Sequence, residues 1–387
     1  MQMPGFYEFF AGGGMARAGL GDAWRCLFAN DHSPMKARAY RDNWGGGDLV
    51  EGDVGAVRTS DLPGHPDLVW ASTPCQDLSL AGNAVGLGRP GETATRSGAF
   101  WPWWRLIEQL GIEGRKPGVV VFENVVGALS SNAGADFEIV ARAFSNGGYR
   151  FGAIVVDARL WLPQSRPRVF IIGVDDAVPG QPALRSIGPR SPWHTEAVQA
   201  AYDRLPEDVR RMWTWWSLPL PMARQPTLAS LIEDEPRGVE WHTPPETERL
   251  IGMMSPANAL KLKAAQGLGT RQVGCVYKRT RPGPDGSRRV RAEVRFDGIA
   301  GCLRTPSGGS SRQTVILVHG QHIRSRLLAP REAARLMGLP DEYRLPENYN
   351  DAYHLCGDGV AVPVVRHLAK HLLKPLTSAG AHAALAG

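Results

Sequence analysis

Three short segments carry side chains suited to covalent chemistry on a ring. Ser72-Thr73-Pro74-Cys75-Gln76 holds a single cysteine directly after an apolar run, Phe122-Glu123-Asn124-Val125 holds a carboxylate after another, and Gln164-Ser165-Arg166-Pro167-Arg168 leads into a third. A free thiol ionises near pH 8.5, so Cys75 needs nearby positive charge or a helix N-terminus to act as a nucleophile. A partly buried acid such as Glu123 can keep its proton and donate it to a ring nitrogen. Arg166 and Arg168 lie two residues apart, and alternate residues of an extended chain face one way, so the pair can hold a carboxylate, a phosphate or a base oxygen. A fourth segment, Phe9-Phe10-Ala11-Gly12-Gly13-Gly14, has the glycines that let a backbone turn tightly and approach a ligand. Each has an ordinary structural use too: a buried structural cysteine, a helix-capping Glu-Asn turn, a solvated basic edge and an unliganded strand-to-helix turn.

The elements that must position these groups are legible as continuous apolar runs. Gly5–Phe10, Asp67–Ala71, Gly118–Glu123, Ile154–Asp157 and Arg168–Gly173 read as strands buried on both faces, separated by helix-like stretches such as Phe100–Leu110 and Phe137–Phe144. That order predicts a doubly wound α/β sheet with ligands at the C-terminal strand ends. A dinucleotide fingerprint would want a third glycine where Arg17 stands, which counts against a nicotinamide enzyme. Beyond Asp175 the texture changes. Prolines and arginines become frequent, Trp213, Trp215 and Trp216 cluster as expected of core or interdomain packing rather than of a stacking platform, and residues 271–295 carry eight Arg or Lys against Asp285 and Glu293.

At 387 residues and 43% hydrophobic content the chain is long enough for one large and one smaller domain. A formal charge of +6 suits a polyanionic partner. The five cysteines show no CxxC spacing, so neither a zinc site nor a disulfide framework is indicated, and a reduced, cytoplasmic protein is expected. No metal site is expected. The first residues lack the basic start and apolar stretch of a signal peptide, so none is expected, and no apolar run reaches membrane-spanning length.

Taken in order, the glycine loop, Pro-Cys-Gln, Glu-Asn-Val and Gln-x-Arg-x-Arg resemble the DNA cytosine C5-methyltransferase family. The resemblance continues through Arg326–Pro340 and ends at Gly357-Asp358-Gly359-Val360-Ala361-Val362-Pro363. It implies a Rossmann-like S-adenosyl-methionine-dependent sheet with helices on both faces and a smaller, irregular target-recognition domain. The catalytic domain would comprise residues 1–178 together with 354–387, and the target-recognition domain 179–353. Cys75 would attack C6 of a flipped-out cytosine, Glu123 would hold N3 and the exocyclic amine, and Arg168, helped by Arg166, would hold the base oxygen. S-adenosyl-methionine would lie against Phe10, Gly12, Gly14, Asp31, His32, Asp53, Pro74, Asp358 and Gly359. Gln76, Ser79, Arg304, Ser307 and Arg312 would face double-stranded DNA. The expected protein is a nucleoid-associated monomer, with a cognate restriction endonuclease as a separate partner. The chain departs from the family at Gly357-Asp358-Gly359, which bears on how the donor's carboxylate end is held, at His32, and at Cys302-Leu303. An RNA cytosine methyltransferase, a non-enzymatic DNA-binding protein and a nicotinamide enzyme are the alternatives, in that order.

Overall fold

The apolar runs become strands with almost no exposed residue. In the computed structural model, which describes residues 3–73, 99–222, 226–282, 287–304 and 312–378, β1 (Gly5–Phe9) is buried throughout, as are the leading residues of β4 (Leu68–Ser72) and β5 (Val119–Val125). With β2 (Arg25–Asp31), β3 (Leu49–Glu51), β6 (Tyr149–Asp157) and β7 (Pro167–Asp175) they form a seven-stranded sheet of order β3-β2-β1-β4-β5-β7-β6. The β3, β2, β1, β4 and β5 neighbours pair in parallel, whereas β7 runs antiparallel to both β5 and β6. The chain reverses its direction of strand addition beside β1. In such sheets the crevice outside the strand C-termini at that point is where ligands bind.

Helices cover the sheet because their apolar residues fall on one stripe. In α3 (Phe100–Ile112), Phe100, Trp103, Trp104, Ile107 and Leu110 are buried against the sheet's Phe122 and the neighbouring Phe144 and Tyr149. Each such side chain contributes about 1.5–3 kcal/mol on burial. Ser33 caps α2 (Pro34–Trp44), with Pro34 at its first position, and α4 (Ala135–Asn146) follows a left-handed Gly134. Helices α1 (Met15–Leu20) and α12 (Val362–Leu368) close on one another: a side chain at Gly19 would lie 2.3 Å from Val365.

The described chain divides into two compact units. The first contains Met1–Asp157, Pro167–Pro221 and Val360–Gly387; the second contains Ala158–Arg166 and Met222–Gly359. The first unit thus retains residues 179–221, which the boundary expected at 178 would assign to the other domain. The reason is packing. Trp216 is fully buried and donates to the Ile172 carbonyl, and Trp213 lies against Phe137, Phe151 and Trp215. Of the two expected uses, core or interdomain packing, the three tryptophans serve the first, packing within the core of the first unit.

The second unit is built on an antiparallel sheet of order β11-β10-β12-β13, from β10 (Gln272–Pro282), β11 (Arg288–Arg295), β12 (Thr314–His319) and β13 (His322–Leu327). Helices α8 (Pro244–Gly252) and α9 (Pro256–Gly267) supply Leu250 and Leu262 to a small core with Val276, Val294, Ile316 and Val318. A fully buried ion pair joins β13 to α10 (Pro330–Leu336): Arg326 donates to both carboxylate oxygens of Glu332 at 2.6 and 2.8 Å. Glu332 also accepts from the Ala329 and Glu233 amides, so one carboxylate caps the helix and anchors a loop. Among the described residues no helix is long and apolar enough to cross a membrane.

Candidate active site

Strand direction gathers the candidate residues of the first unit at a single sheet edge. The parallel strands β1, β2, β4 and β5 end there at Phe9, Asp31, Ser72 and Val125, with Glu123 two residues before the end of β5, and antiparallel β7 starts there with Pro167 and Arg168. Pairing register then decides which side chains meet. Val125 stands opposite Arg168, so Glu123, two residues earlier on the same face, is its diagonal neighbour. Arg168 Nε lies 3.3 Å from Glu123 Oε1, and both side chains are nearly buried. On the other side Ser72 is in register with Glu123, and Asn124 donates to the Thr73 hydroxyl at 3.0 Å in a buried hydrogen bond. Thr73 precedes Cys75 by two residues in the chain. Cys75 itself, with Pro74, Gln76 and Ser79, lies outside the described residues, as does Ser307.

Arg166 and Arg168 have different partners. Arg166 stands before β7 begins, so strand alternation does not extend to it. Its buried guanidinium donates to the carbonyls of Leu303, Gly357 and Gly359 at 3.0, 2.7 and 2.6 Å, and to Cys302 Sγ at 3.3 Å. It thereby binds two loops of the second unit to one planar fork. Asp358 and Gly359 end α11 (Tyr349–Asp358), with Asp358 exposed and the Gly359 carbonyl held by Arg166. Gln164 adds two buried ties, donating to the Leu336 carbonyl and accepting from the Leu303 amide. Arg304 is exposed, whereas Arg312 donates to the Asn350 side chain and lies over the Tyr349 ring.

The glycine loop after β1 is shaped by unusual backbone angles. Phe10 has φ of 56°, a left-handed conformation that costs a non-glycine residue on the order of 1–3 kcal/mol and tends to persist at functional sites. Gly12 (φ 57°) has no atom within 4 Å of where a side chain would begin, which leaves room for a ligand against its backbone. Gly14 (φ 77°) is glycine for a different reason: an added Cβ would lie 2.3 Å from the Trp44 indole. Buried Asp31 braces this loop, accepting from the Gly12 amide through Oδ2 and from the Ser33 amide through Oδ1, both at 2.8 Å. His32 beside it is exposed, its Nδ1 3.9 Å from Asp31 Oδ1. Exposed Asp53 caps a short helical turn by accepting from the Gly55 amide.

Behind the loop lies a polar cluster that sequence reasoning did not foresee. Arg17 donates to the Tyr40 hydroxyl and to Asp48 at 2.7 and 2.6 Å and lies over the Trp44 ring, which in turn donates to the Gly13 carbonyl. Glu8, on β1, accepts from the Ala16 and Arg17 amides, while its Oε2 has no partner among the described residues. Burial pushes the Glu8 carboxyl up to about 8, despite the opposing pull of Arg17. Burial also pushes the Cys26 thiol up to about 12, so this cysteine is inert. The only signal for this cluster in the chain was Arg17 standing where a glycine would fit a dinucleotide site. The roles of Asn124 and Gln164 were missed likewise, although both residues adjoin or open the motifs singled out.

A parallel-rich sheet with an inserted antiparallel strand, a strained glycine loop at its switch point and a buried Glu–Arg pair at the same edge define a methyltransferase-type α/β protein. Residues 5–374 match the model of the C-5 cytosine-specific DNA methylases, and the chain belongs to that family of DNA (cytosine-5-)-methyltransferases. It is 27% identical over 370 residues to the Type II methyltransferase M.HhaI of Haemophilus parahaemolyticus, covering 95% of this chain and 93% of that protein. It is 24% identical over 375 residues to M.NlaX of Neisseria lactamica, covering 96% of each. Solved structures with the same fold include the Dnmt2 methyltransferase of S. pombe (TM-score 0.56, 18% identity, 96% of this chain and 99% of that one). The methyltransferase EhMeth of Entamoeba histolytica is similar at TM-score 0.59 and 13% identity, with 97% and 99% covered.

Proposed function

We propose that this chain methylates C5 of cytosine in a specific duplex DNA sequence, through a covalent adduct between Cys75 and a base turned out of the helix. The observation that carries the reading is the buried Glu123–Arg168 pair, at the strand edge where Asn124 holds Thr73 two residues before Cys75. C5 of a stacked cytosine is out of reach, so extrusion at a cost of a few kcal/mol must come first. Glu123 then accepts from the exocyclic amine and donates to N3, and Arg168 donates to the base oxygen. Both actions draw electron density from the ring. The Cys75 sulfur bonds to C6, and the displaced electron pair makes C5 nucleophilic. S-adenosyl-methionine supplies the methyl group as an electrophile and leaves as the neutral thioether. Loss of the C5 proton to a base returns the electron pair, breaks the S–C6 bond and frees Cys75. Covalent addition thus replaces one difficult step with easier ones.

The loop geometry fits the donor. The open space over Gly12 and the fixed carboxylate of Asp31 suit a close-lying nucleoside, and Phe10 offers a ring beside them. Arg166 acts by tying together the loops at Cys302-Leu303 and Gly357–Gly359, and Arg168 is the arginine that meets the base. Asp53 and His32 complete the donor site in this reading, and Arg304 faces DNA as part of a monomeric enzyme.

The test is incubation with S-adenosyl-methionine and unmethylated genomic DNA, followed by bisulfite sequencing. Context-restricted 5-methylcytosine is expected. No transfer to any DNA, or preferential transfer to tRNA in direct competition, overturns the reading. Cys75→Ala is expected to abolish transfer, and full activity in that variant would refute the nucleophile.

A further inference from the structure

Consecutive glycines impose little shape on a chain, so the loop Gly12-Gly13-Gly14 takes its form from the groups that grip it. The left-handed backbone at Phe10 raises the demand, because a strained residue persists only where its surroundings over-determine it. Two grips bracket Gly12. Asp31 accepts from the Gly12 amide at 2.8 Å and fixes the peptide before it. Trp44, the last residue of α2, donates its indole N–H to the Gly13 carbonyl at 3.0 Å and fixes the peptide after Gly13. The open space over Gly12 lies between these two holds.

The indole is seated for that bond. A Cβ at Gly14 would meet Trp44 Nε1 at 2.3 Å and Cδ1 at 2.7 Å, so the nitrogen-bearing edge of the ring packs directly on the Gly14 backbone. Glycine at position 14 is what leaves the indole room to reach the neighbouring carbonyl. Tyr40 stands one helical turn before Trp44, so the two rings share a face of α2. Arg17 lies across both. Its guanidinium carbon is 5.6 Å from the Tyr40 ring centroid and 5.1 Å from that of Trp44, within the reach of a cation–π contact. The same guanidinium donates to the Tyr40 hydroxyl at 2.7 Å and to Asp48 at 2.6 Å, which hold it over the indole. Contacts thus run without a break from Asp48 through Arg17 and Trp44 to the Gly13 carbonyl, and none of these three side chains enters the methyl-transfer steps.

We infer that Trp44 is a positioning residue for the methyl donor: its indole N–H sets the Gly13 carbonyl, and so the loop against which the donor lies, while Arg17 acts through it by holding the indole in place. The inference rests on the proposed reading of this loop as the S-adenosyl-methionine site. It assigns the loop's shape to one hydrogen bond from α2 in addition to the Asp31 brace from β2.

The test is calorimetric titration of the full chain with S-adenosyl-methionine, together with steady-state methylation of unmethylated genomic DNA. Trp44→Phe keeps a ring under Arg17 but removes the N–H. Its Kd and KM for the donor should rise about three- to tenfold, the range of one hydrogen bond, while kcat at saturating donor and KM for DNA stay at parental values. Replacing Trp44 with benzothienylalanine, which keeps the bicyclic shape but has no N–H, should weaken donor binding to the same degree. Trp213→Phe is the control, because the Trp213 indole nitrogen has no partner among the described residues and its loss should leave donor binding unchanged. Arg17→Gln should also weaken donor binding, and combining it with Trp44→Phe should add less than the product of the two effects, since both act on one contact. Parental donor affinity in either Trp44 variant overturns the inference, as does a lowered kcat with unchanged donor Kd, or an equal weakening in Trp213→Phe. Effects of Arg17→Gln and Trp44→Phe that multiply in full overturn the role given to Arg17. A parent chain that binds the donor while Trp44→Phe binds it equally well refutes this inference alone. A parent that binds no S-adenosyl-methionine refutes the donor reading as well.

Discussion

Replacing Glu8 by Gln should flatten the stability profile between pH 6.5 and 8. In the folded chain burial raises this carboxyl from 4.5 to about 8. Between those values the folded state holds a proton that the unfolded chain has released, so stability falls as pH rises through the window and levels off above it. A displacement of that size corresponds to roughly 5 kcal/mol between the two ends, at about 1.36 kcal/mol for each tenfold change in proton affinity. Two buried histidines work in the opposite direction at lower pH. Burial holds His194 and His367 at about 4, so they add stability as pH rises from 4 to 6.5. Above 6.5 the Glu8 contribution stands without theirs. The Gln amide is neutral at every pH, and its extra N–H, placed where Oε2 lacks a partner among the described residues, costs about 1–3 kcal/mol independently of pH. The slope, rather than the absolute stability, is therefore diagnostic. Urea denaturation of both proteins at half-unit intervals from pH 5 to 9 measures it. Parallel curves for the parent and Glu8→Gln between pH 6.5 and 8.5 would refute the assignment of that proton to Glu8.

Three further outcomes follow from the geometry. Asp31→Ala removes the acceptor shared by the Gly12 and Ser33 amides, and hydrogen bonds to a charged group contribute about 1.5–3 kcal/mol each; calorimetry should find S-adenosyl-methionine bound at least tenfold more weakly, and unchanged binding contradicts the brace. Glu332→Ala leaves the Arg326 charge buried without its carboxylate, which should cost about 3–5 kcal/mol in urea unfolding; a cost below about 1 kcal/mol would show that the pair is dispensable. Gly14→Ala combines a left-handed backbone with a Cβ 2.3 Å from Trp44, so the melting temperature should drop by several degrees, whereas Gly21→Ala, also left-handed but with open space, should drop less.

Local pattern alone determined much of this protein. Apolar runs too continuous for a half-exposed sheet implied strands covered on both faces, and β1, β4 and β5 are so covered because Val, Phe and Trp side chains leave water on either side. The order of short motifs at the ends of those runs was enough to place the chain in its family, since turn glycines and polar residues at strand ends are local in the sequence. Pairing was not local. The Glu123–Arg168 contact exists because an antiparallel strand is inserted beside β5, and no spacing between residues 123 and 168 encodes that register. Equal spacing misled in turn: Arg166 and Arg168 read as twins, but the strand starts between them, and the buried guanidinium of Arg166 found backbone carbonyls more than 130 residues away in sequence. The strain at Phe10 and the proton held by Glu8 both arise from long-range packing. Each depends on which distant atoms surround a side chain, and only the folded chain decides that.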